Sequence, residues 1–462
     1  MLGIVVSRAD DASRHIGEHL LALADWDRVA DTARPDADGG GTVYRTDGAT
    51  LREFDALHLG LERPADAFAD VDLLVFASKH AGETGPLLTA HHTGNLGPAD
   101  HGGDPNDLAR ACPNAHARVL DALADHAPED YEVGMECTHH GPTDVGAPSM
   151  FVEVGSSPDE WDDPQAARAV ARAILELRGA APDRGPEGGT DGDPDAVRRH
   201  LVGVGGGHYA PRFERIVRET DWAVGHVAAD WGLEALDLGA PAGRAVLAAA
   251  FEESWAACAL VDGDRPAVEA AIEAAGYRTV GETWVRETDG VPLSLVRAVE
   301  ADVGTVADGL RFGDPAAGYD GDYAVLALPT ALLSEARGID RERTRRTLKR
   351  EALAFGTDQG GTRVTGPAVL ADPTDREDVL DCLLDVLRDR YDSVERDGGE
   401  ALARERAFDP ERARRLGVPE GPKFGRLADG HPVEVDGREI PPEAVSERRE
   451  RRFPLEEAKG GE

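Results

Sequence analysis

Lysine is almost absent from this 462-residue chain: Lys79, Lys349, Lys423 and Lys459 are its four, and the rest of its 50 basic residues are arginines. Cysteine is equally scarce, and Cys112, Cys137, Cys258 and Cys382 stand far apart with no CxxC pair. That spacing speaks against a disulfide framework or a zinc knuckle and fits a reducing compartment. Nowhere do about 18 apolar residues follow one another, so no membrane-spanning helix is expected. The opening MLGIVVSRADDASRH turns acidic before an apolar run of signal length develops, so a cytoplasmic protein is expected.

Acid, by contrast, is abundant. Asp and Glu number 88, and the formal net charge is −38. An evenly spread acidic excess with arginine in place of lysine fits a cytoplasm of molar salt, where the Debye length falls to about 3 Å and self-repulsion is screened. The chain reads as halophilic. An ordinary acidic protein with a basic partner would gather its acids into a block or onto one face. With 41% apolar residues the chain is globular, and its length predicts about two or three domains.

A strand is expected over Leu2–Ser7 and an amphipathic helix from Asp10 to Leu23, where Ile16, Leu20 and Leu23 recur at helical spacing. Further strands are predicted at 71–78, 86–92, 131–138, 149–155, 200–207 and 221–227. They alternate with helical segments near 106–125, 159–178 and 265–275. Such alternation implies an α/β domain with a largely parallel sheet covered on both faces. The Gly-, Pro- and Asp-rich stretch 178–196 reads as a surface loop inside that domain. A boundary falls near residue 290. The expected divisions are 1–285, a small α/β domain at 290–395, and a polar helix with a β-rich tail at 396–462.

Histidine is concentrated: fourteen of the fifteen lie at or before His226. Six of them fall in three segments at predicted strand ends, where an open α/β sheet places its site. The first is SKHAGETGPLLTAHHTGNLG (78–97), with Lys79, His80, His91, His92 and Asn95. The second, GMECTHHGP (134–142), joins Glu136 to His139 and His140. If its strand persists, Glu136, Thr138 and His140 share one face while Cys137 and His139 take the other. Carboxylate and imidazole together suit zinc with an open position, which can activate water against an ester. The third, VGVGGGHYAPRFER (202–215), carries His208 and Tyr209 behind Gly205, Gly206 and Gly207, and lacks the residues of a P-loop. No GxSxG elbow appears, so metal-assisted hydrolysis is preferred to covalent catalysis.

In order along the chain, SKHAG with LLTAHHTGN, GMECTHHGPTDVGAPSMFVEVGSS and VGVGGGHYAPRF resemble the archaeal D-aminoacyl-tRNA deacylase family. The resemblance implies a three-layer α/β/α fold with a mostly parallel or mixed sheet, similar to peptidyl-tRNA hydrolases and nucleoside phosphorylases. It also implies zinc dependence and hydrolysis of the ester between a D-amino acid and the 3′ acceptor end of tRNA. The residues it carries over are His80, His91, His92, Glu136, His139, His140 and His208. Of these, His80, Glu136 and His139, with Thr138 and Asn95, are the expected catalytic groups, Thr138, Asn95 or the Gly205–Gly207 backbone serving the oxyanion. The expected zinc ligands are drawn from His91, His92, His140, His208 and Glu136. Lys79, Gly205, Gly206, Gly207 and Tyr209 are expected to touch substrate.

A chain of charge −38 must hold tRNA by short-range contacts and a few arginines, because phosphate contacts weaken steeply with salt. Arg345, Arg346 and Lys349 on the basic helix near 340–352 are the expected contacts, with the arginines of 448–452 as a second patch. A monomer or small homo-oligomer is expected. Two other readings stay open: a phosphorylase- or peptidase-like hydrolase of a small substrate, and a non-catalytic RNA-binding protein pinned by zinc.

Overall fold

The computed structural model describes residues 1–187 and 197–456; of the loop expected at 178–196, residues 188–196 lie outside them. The chain forms two compact units, Met1–Asp289 and Gly290–Glu462. None of the described helices is long and apolar enough to cross a membrane.

The first unit is built on a sheet of eight strands: β1 (Leu2–Ser7), β2 (Asp27–Asp31), β3 (Gly41–Thr46), β4 (Ala49–Phe54), β5 (Leu73–Lys79), β6 (Leu87–His92), β7 (Glu132–Met135) and β8 (Ser149–Gly155). Their spatial order is β2-β3-β4-β1-β5-β8-β6-β7. β1 runs parallel to both neighbours and is buried throughout, as the unbroken apolar run LGIVVS requires. The sheet is mixed. β6 enters antiparallel to β8, and β2 and β3 form an antiparallel margin. The strands predicted at 200–207 and 221–227 do not join this sheet. They form β9 (His200–Val204) and β10 (Ala223–Ala228) of a separate parallel sheet, completed by β11 (Cys258–Val261) and β12 (Arg278–Val280).

Helix α1 (Asp11–Leu23) is capped by Asp10, whose side chain accepts from the Ser13 amide, and buries Ile16 and Leu20. Its Gly17 sits against Val6, so α1 covers that face of the sheet. The opposite face carries Val5, Leu74, Phe76 and Phe151. It is closed by irregular segments bearing Ala65, Phe68, Ala109 and Val145, not by a long helix. Such segments leave room for a pocket. Helix α2 (Pro113–His126) packs against both β6 and β10, and there His92, His116 and His226 are fully enclosed.

The second unit holds an antiparallel four-stranded sheet, a three-stranded sheet (Ser393–Asp397, Glu400–Phe408, Ser446–Pro454) and a short hairpin. The helices Thr330–Ile339, Arg341–Glu351 and Arg376–Leu387 share one core with Ala401, Ala403, Phe453 and Leu455, so packing runs across the division expected at 395 and 396.

Burial holds the His116 and His226 rings neutral, lowering each to about 4, and pushes His92 well below its ordinary value. The unfolded chain takes up protons on these rings near pH 6.5, whereas in the folded chain His116 and His226 do not until about pH 4 and His92 resists protonation in the same direction. Their contribution to stability is therefore complete above pH 6.5 and is lost as pH falls toward 4. Hydrogen exchange at pH 7 and pH 5 in molar KCl should show faster opening of α2, β6 and β10 at pH 5. Equal protection of these elements at the two pH values would contradict it.

Candidate metal centre and active site

Register decides which side chains meet. Across β5, β8 and β6, Phe76, Phe151 and His91 stand opposite one another, and Ser78, Glu153 and Thr89 form the next row. Side chains in such a row share a face of the sheet. The His91 ring lies parallel on Phe151 at 5.2 Å, and Phe151 stacks on Phe76 at 4.8 Å. His92, one residue on, must point to the other face. Its Nδ1 donates to the Gly225 carbonyl at 3.0 Å and its ring meets His116 at 4.6 Å. Strand alternation thus separates the adjacent pair, and His92 does not join the group formed by the other expected ligands.

The second adjacent pair behaves differently. β7 ends at Met135, and Glu136 makes only an isolated bridge to Tyr209. With the strand over, alternation is lost, which overturns the expected division of faces. Both His139 and His140 turn toward His91, at ring distances of 4.4 and 4.6 Å, and lie 4.4 Å from each other. Gly141 permits this path, because a Cβ there would fall 2.5 Å from the Gly102 backbone. Thr138 turns away, bonding His226 Nδ1 at 3.0 Å and accepting from the Val227 amide at 3.2 Å.

Glu136 anchors the other side. It is fully buried, with Oε2 2.6 Å from His208 Nε2 and Oε1 3.3 Å from His80 Nδ1. Burial alone would raise its pKa, but hydrogen bonds from His208 and His80 hold it well below the carboxylate range. Burial likewise opposes charge on His80, yet Glu136 and Glu153 outweigh it and push this imidazole up to about 11. Its Nε2 meets the Tyr209 hydroxyl at 2.9 Å. Glu153 is raised to about 7, first by burial and then, against the pull of His80, by the charge of Glu136. Glycine is required beside this group: a Cβ on Gly155 would lie 2.6 Å from the His80 Cβ.

Three sets of side chains come within 4.8 Å of one another: His91, His139 and His140; Cys137, His139 and His208; and His80, Glu136 and His208. The first set fits a metal ion best. Each of its rings donates Nδ1–H to a backbone carbonyl, His91 to His92 at 3.0 Å, His139 to Cys137 at 2.8 Å and His140 to Gly141 at 3.0 Å. That bond fixes the tautomer and leaves every Nε2 lone pair free. His91 Nε2 is buried without a hydrogen-bond partner. Burial, aided by the neighbouring imidazoles, keeps the set unprotonated: His139 is lowered to about 3, His140 to about 4, and His91 well below its ordinary range. In the second set burial and Glu136 push the Cys137 thiol up to about 12, which disfavours a thiolate. In the third, Glu136 Oε2 is already taken up by His208 Nε2 and His80 Nε2 by the Tyr209 hydroxyl, while Glu136 Oε1 stands buried without a hydrogen-bond partner, 3.3 Å from His80 Nδ1.

These groups open onto a cavity of about 320 Å³ whose walls include Lys79, His80, His139, His140, Glu153 and His208. Lys79 rests its ammonium over Trp161 at 4.8 Å. Asn95 is spent on its own loop, donating to the carbonyls of Gly102 and Asp104. Neither Thr138 nor Asn95 has its donor free for an oxyanion. Gly205 and Gly206 form a left-handed turn against Asp262 and Arg265, away from the cavity lining, which Gly207 does not join either. Arg345, Arg346 and Lys349 belong to the second unit, where Arg345 donates to Gly361 O and Lys349 pairs with Asp314. Sequence reading missed Glu153, together with Asp10 and His58 of the cavity wall. A lone carboxylate in SMFVEVG, an otherwise apolar central strand, was the signal for Glu153.

The first unit is thus an α/β domain with a buried pocket of imidazoles and carboxylates suited to a divalent ion. Residues 67–280 match the D-aminoacyl-tRNA deacylase family model. A D-aminoacyl-tRNA deacylase from Haloarcula marismortui is 59% identical over 98% of this chain and 100% of its own length, and one from Natronomonas pharaonis is 54% identical over 98% and 100%. A crystal structure described as a conserved protein of unknown function is 29% identical, with a TM-score of 0.53, and covers 63% of this chain and 98% of its own. The chain belongs to the D-aminoacyl-tRNA deacylase family.

Cobalt(II) titrated into metal-free protein at pH 7 in molar KCl should give the visible absorption of a low-symmetry, nitrogen-rich site, saturating at one ion per chain. His91→Ala should abolish it and His92→Gln should preserve it. An equal loss in the two variants would show that the paired histidines are not separated by the strand.

Proposed function

We propose that this chain hydrolyses the ester joining a D-amino acid to the 3′ end of tRNA, releasing free D-amino acid and reusable tRNA. One observation carries the mechanism: three imidazoles, each fixed through Nδ1 to a carbonyl, turn toward one another beside two buried carboxylates, Glu136 and Glu153. His91, His139 and His140 would hold zinc, which supplies Lewis acidity toward the ester carbonyl and an attacking water.

The remaining work falls to the chain's own side chains. Glu153, poised near neutrality at about 7 and facing His91 Nε2 at 3.9 Å, accepts the proton of the attacking water and returns it to the departing ribose oxygen. Environments that push two carboxylates apart in pKa assign them different roles. Glu136 stays ionised and fixes His208 and His80 in place. The protonated His80, held between carboxylates and Tyr209, places positive charge where negative charge develops on the ester oxygen. Leu57, Leu59 and Phe151 give the cavity an apolar wall that limits stray water. At about 320 Å³ it suits an aminoacyl group with the edge of its ribose, not a larger part of the tRNA.

Matched D- and L-tyrosyl-tRNA, offered in molar KCl with and without a chelator, test this reading. The D-ester should be cleaved, chelation should stop the reaction, and zinc should restore it. Glu153→Gln should lower kcat by roughly 10²- to 10⁴-fold while metal content holds. Activity that survives exhaustive chelation with no metal in the protein would refute the mechanism, and no cleavage of either ester would refute the function.

A further inference from the structure

The matched family region, residues 67–280, stops short of the second unit. That unit departs from the expectation of evenly spread acid. Between Ser393 and Glu456 there are thirteen Lys and Arg against fifteen Asp and Glu, a near balance inside a chain of net charge −38. Most of the arginines on the three-stranded sheet are spent locally. Arg404 pairs with Glu395 and Glu450, Arg449 with Glu447, Arg451 with Glu335, and Arg452 with Glu400 and Glu450.

Arg406 and Arg448 are the exception. They stand directly opposite each other across the strands Glu400–Phe408 and Ser446–Pro454, and both are exposed. Among the described residues neither has an ion-pair partner. The adjoining rungs set opposite charges together, Arg404 against Glu450 and Glu405 against Arg449. Like charges directly opposed on a ladder are destabilising, so this rung alone works against the sheet. One anion between the two guanidiniums would reverse that penalty. Directly opposed Cβ atoms lie about 5 Å apart, and two flexible forks on such a base can close on a phosphodiester. The basic helix Arg341–Glu351 is a poorer candidate: Arg343 pairs with Asp389, Lys349 with Asp314 and Arg345 with the Gly361 carbonyl, and its remaining unpaired arginines among the described residues, Arg341 and Arg346, are five positions apart on the helix and do not face one anion together.

We propose that Arg406 and Arg448 form a docking point for the phosphodiester backbone of tRNA. This rests on the reading of the substrate as a charged tRNA. The second unit then supplies a part of the recognition that a pocket of aminoacyl size cannot, and it does so with short-range bidentate hydrogen bonds that add geometric specificity to a salt-dependent charge contact.

The test is the binding of fluorescently labelled, deacylated tRNA to the full chain across a KCl series. Arg406→Glu with Arg448→Glu should weaken binding by roughly tenfold or more and flatten the dependence of log affinity on log salt by about one, the share of the single phosphate held between the two arginines. Arg406→Lys with Arg448→Lys should restore only part of the affinity relative to the glutamate pair, because a point charge still meets phosphate but cannot reproduce the bidentate fork. Should the glutamate pair melt early, Arg406→Gln with Arg448→Gln provides the same comparison. Unchanged affinity in a well-folded variant overturns the proposal, as does competition by polyglutamate equal to that by tRNA, which would make an acidic peptide the partner. Wild-type protein that binds tRNA through these arginines but cleaves no D-tyrosyl-tRNA would refute the hydrolase reading alone. Cleavage by a variant that binds as well as wild type would refute the docking point alone.

Discussion

Three backbone carbonyls, those of His92, Cys137 and Gly141, set the chemistry of the pocket by accepting the Nδ1 protons of His91, His139 and His140. Each bond does two things at once. It satisfies a buried donor, which would otherwise cost about 1–3 kcal/mol, and it commits the opposite nitrogen to be a lone pair. Burial then works with the tautomer, because a neutral ring in a dry pocket is far cheaper than an imidazolium. The outcome is a set of ligands for which protons compete weakly at neutral pH.

The same pocket holds two carboxylates in opposite conditions. Glu136 faces two imidazoles and is held ionised, whereas Glu153 carries the cost of burial and the repulsion of Glu136 and titrates near neutrality. His80 lies between them and ties the two titrations together. A structural anchor and a mobile proton can thus coexist at close quarters. The division depends on the register of β8 against β5 and β6, since a slip of one residue would turn Glu153 to the far face along with Phe151.

Much of this was legible in the residues. The three histidine segments do converge, and His80, His91, Glu136, His139, His140, His208 and Tyr209 meet as a group. What escaped was local geometry. The adjacent histidines at 91 and 92 sit in a regular strand and are split between faces, while those at 139 and 140 follow the end of β7 and are not. A motif does not say where a strand stops. Thr138 and Asn95 have the right chemistry for an oxyanion, but tertiary bonds to His226 and to the Gly102 and Asp104 carbonyls occupy them. The helix and strand alternation pointed to α/β architecture. The separation of β9–β12 into a second sheet had no counterpart in the pattern, because both sheets are built from equally apolar runs.

Zinc K-edge absorption of the loaded protein at neutral pH addresses the central claim most directly, because it counts and identifies the ligand atoms. The expected shell is three imidazole nitrogens near about 2.0 Å and one further light atom from outside the protein. A sulfur neighbour near about 2.3 Å, or four protein ligands closing the coordination, would contradict it and make the site a structural one.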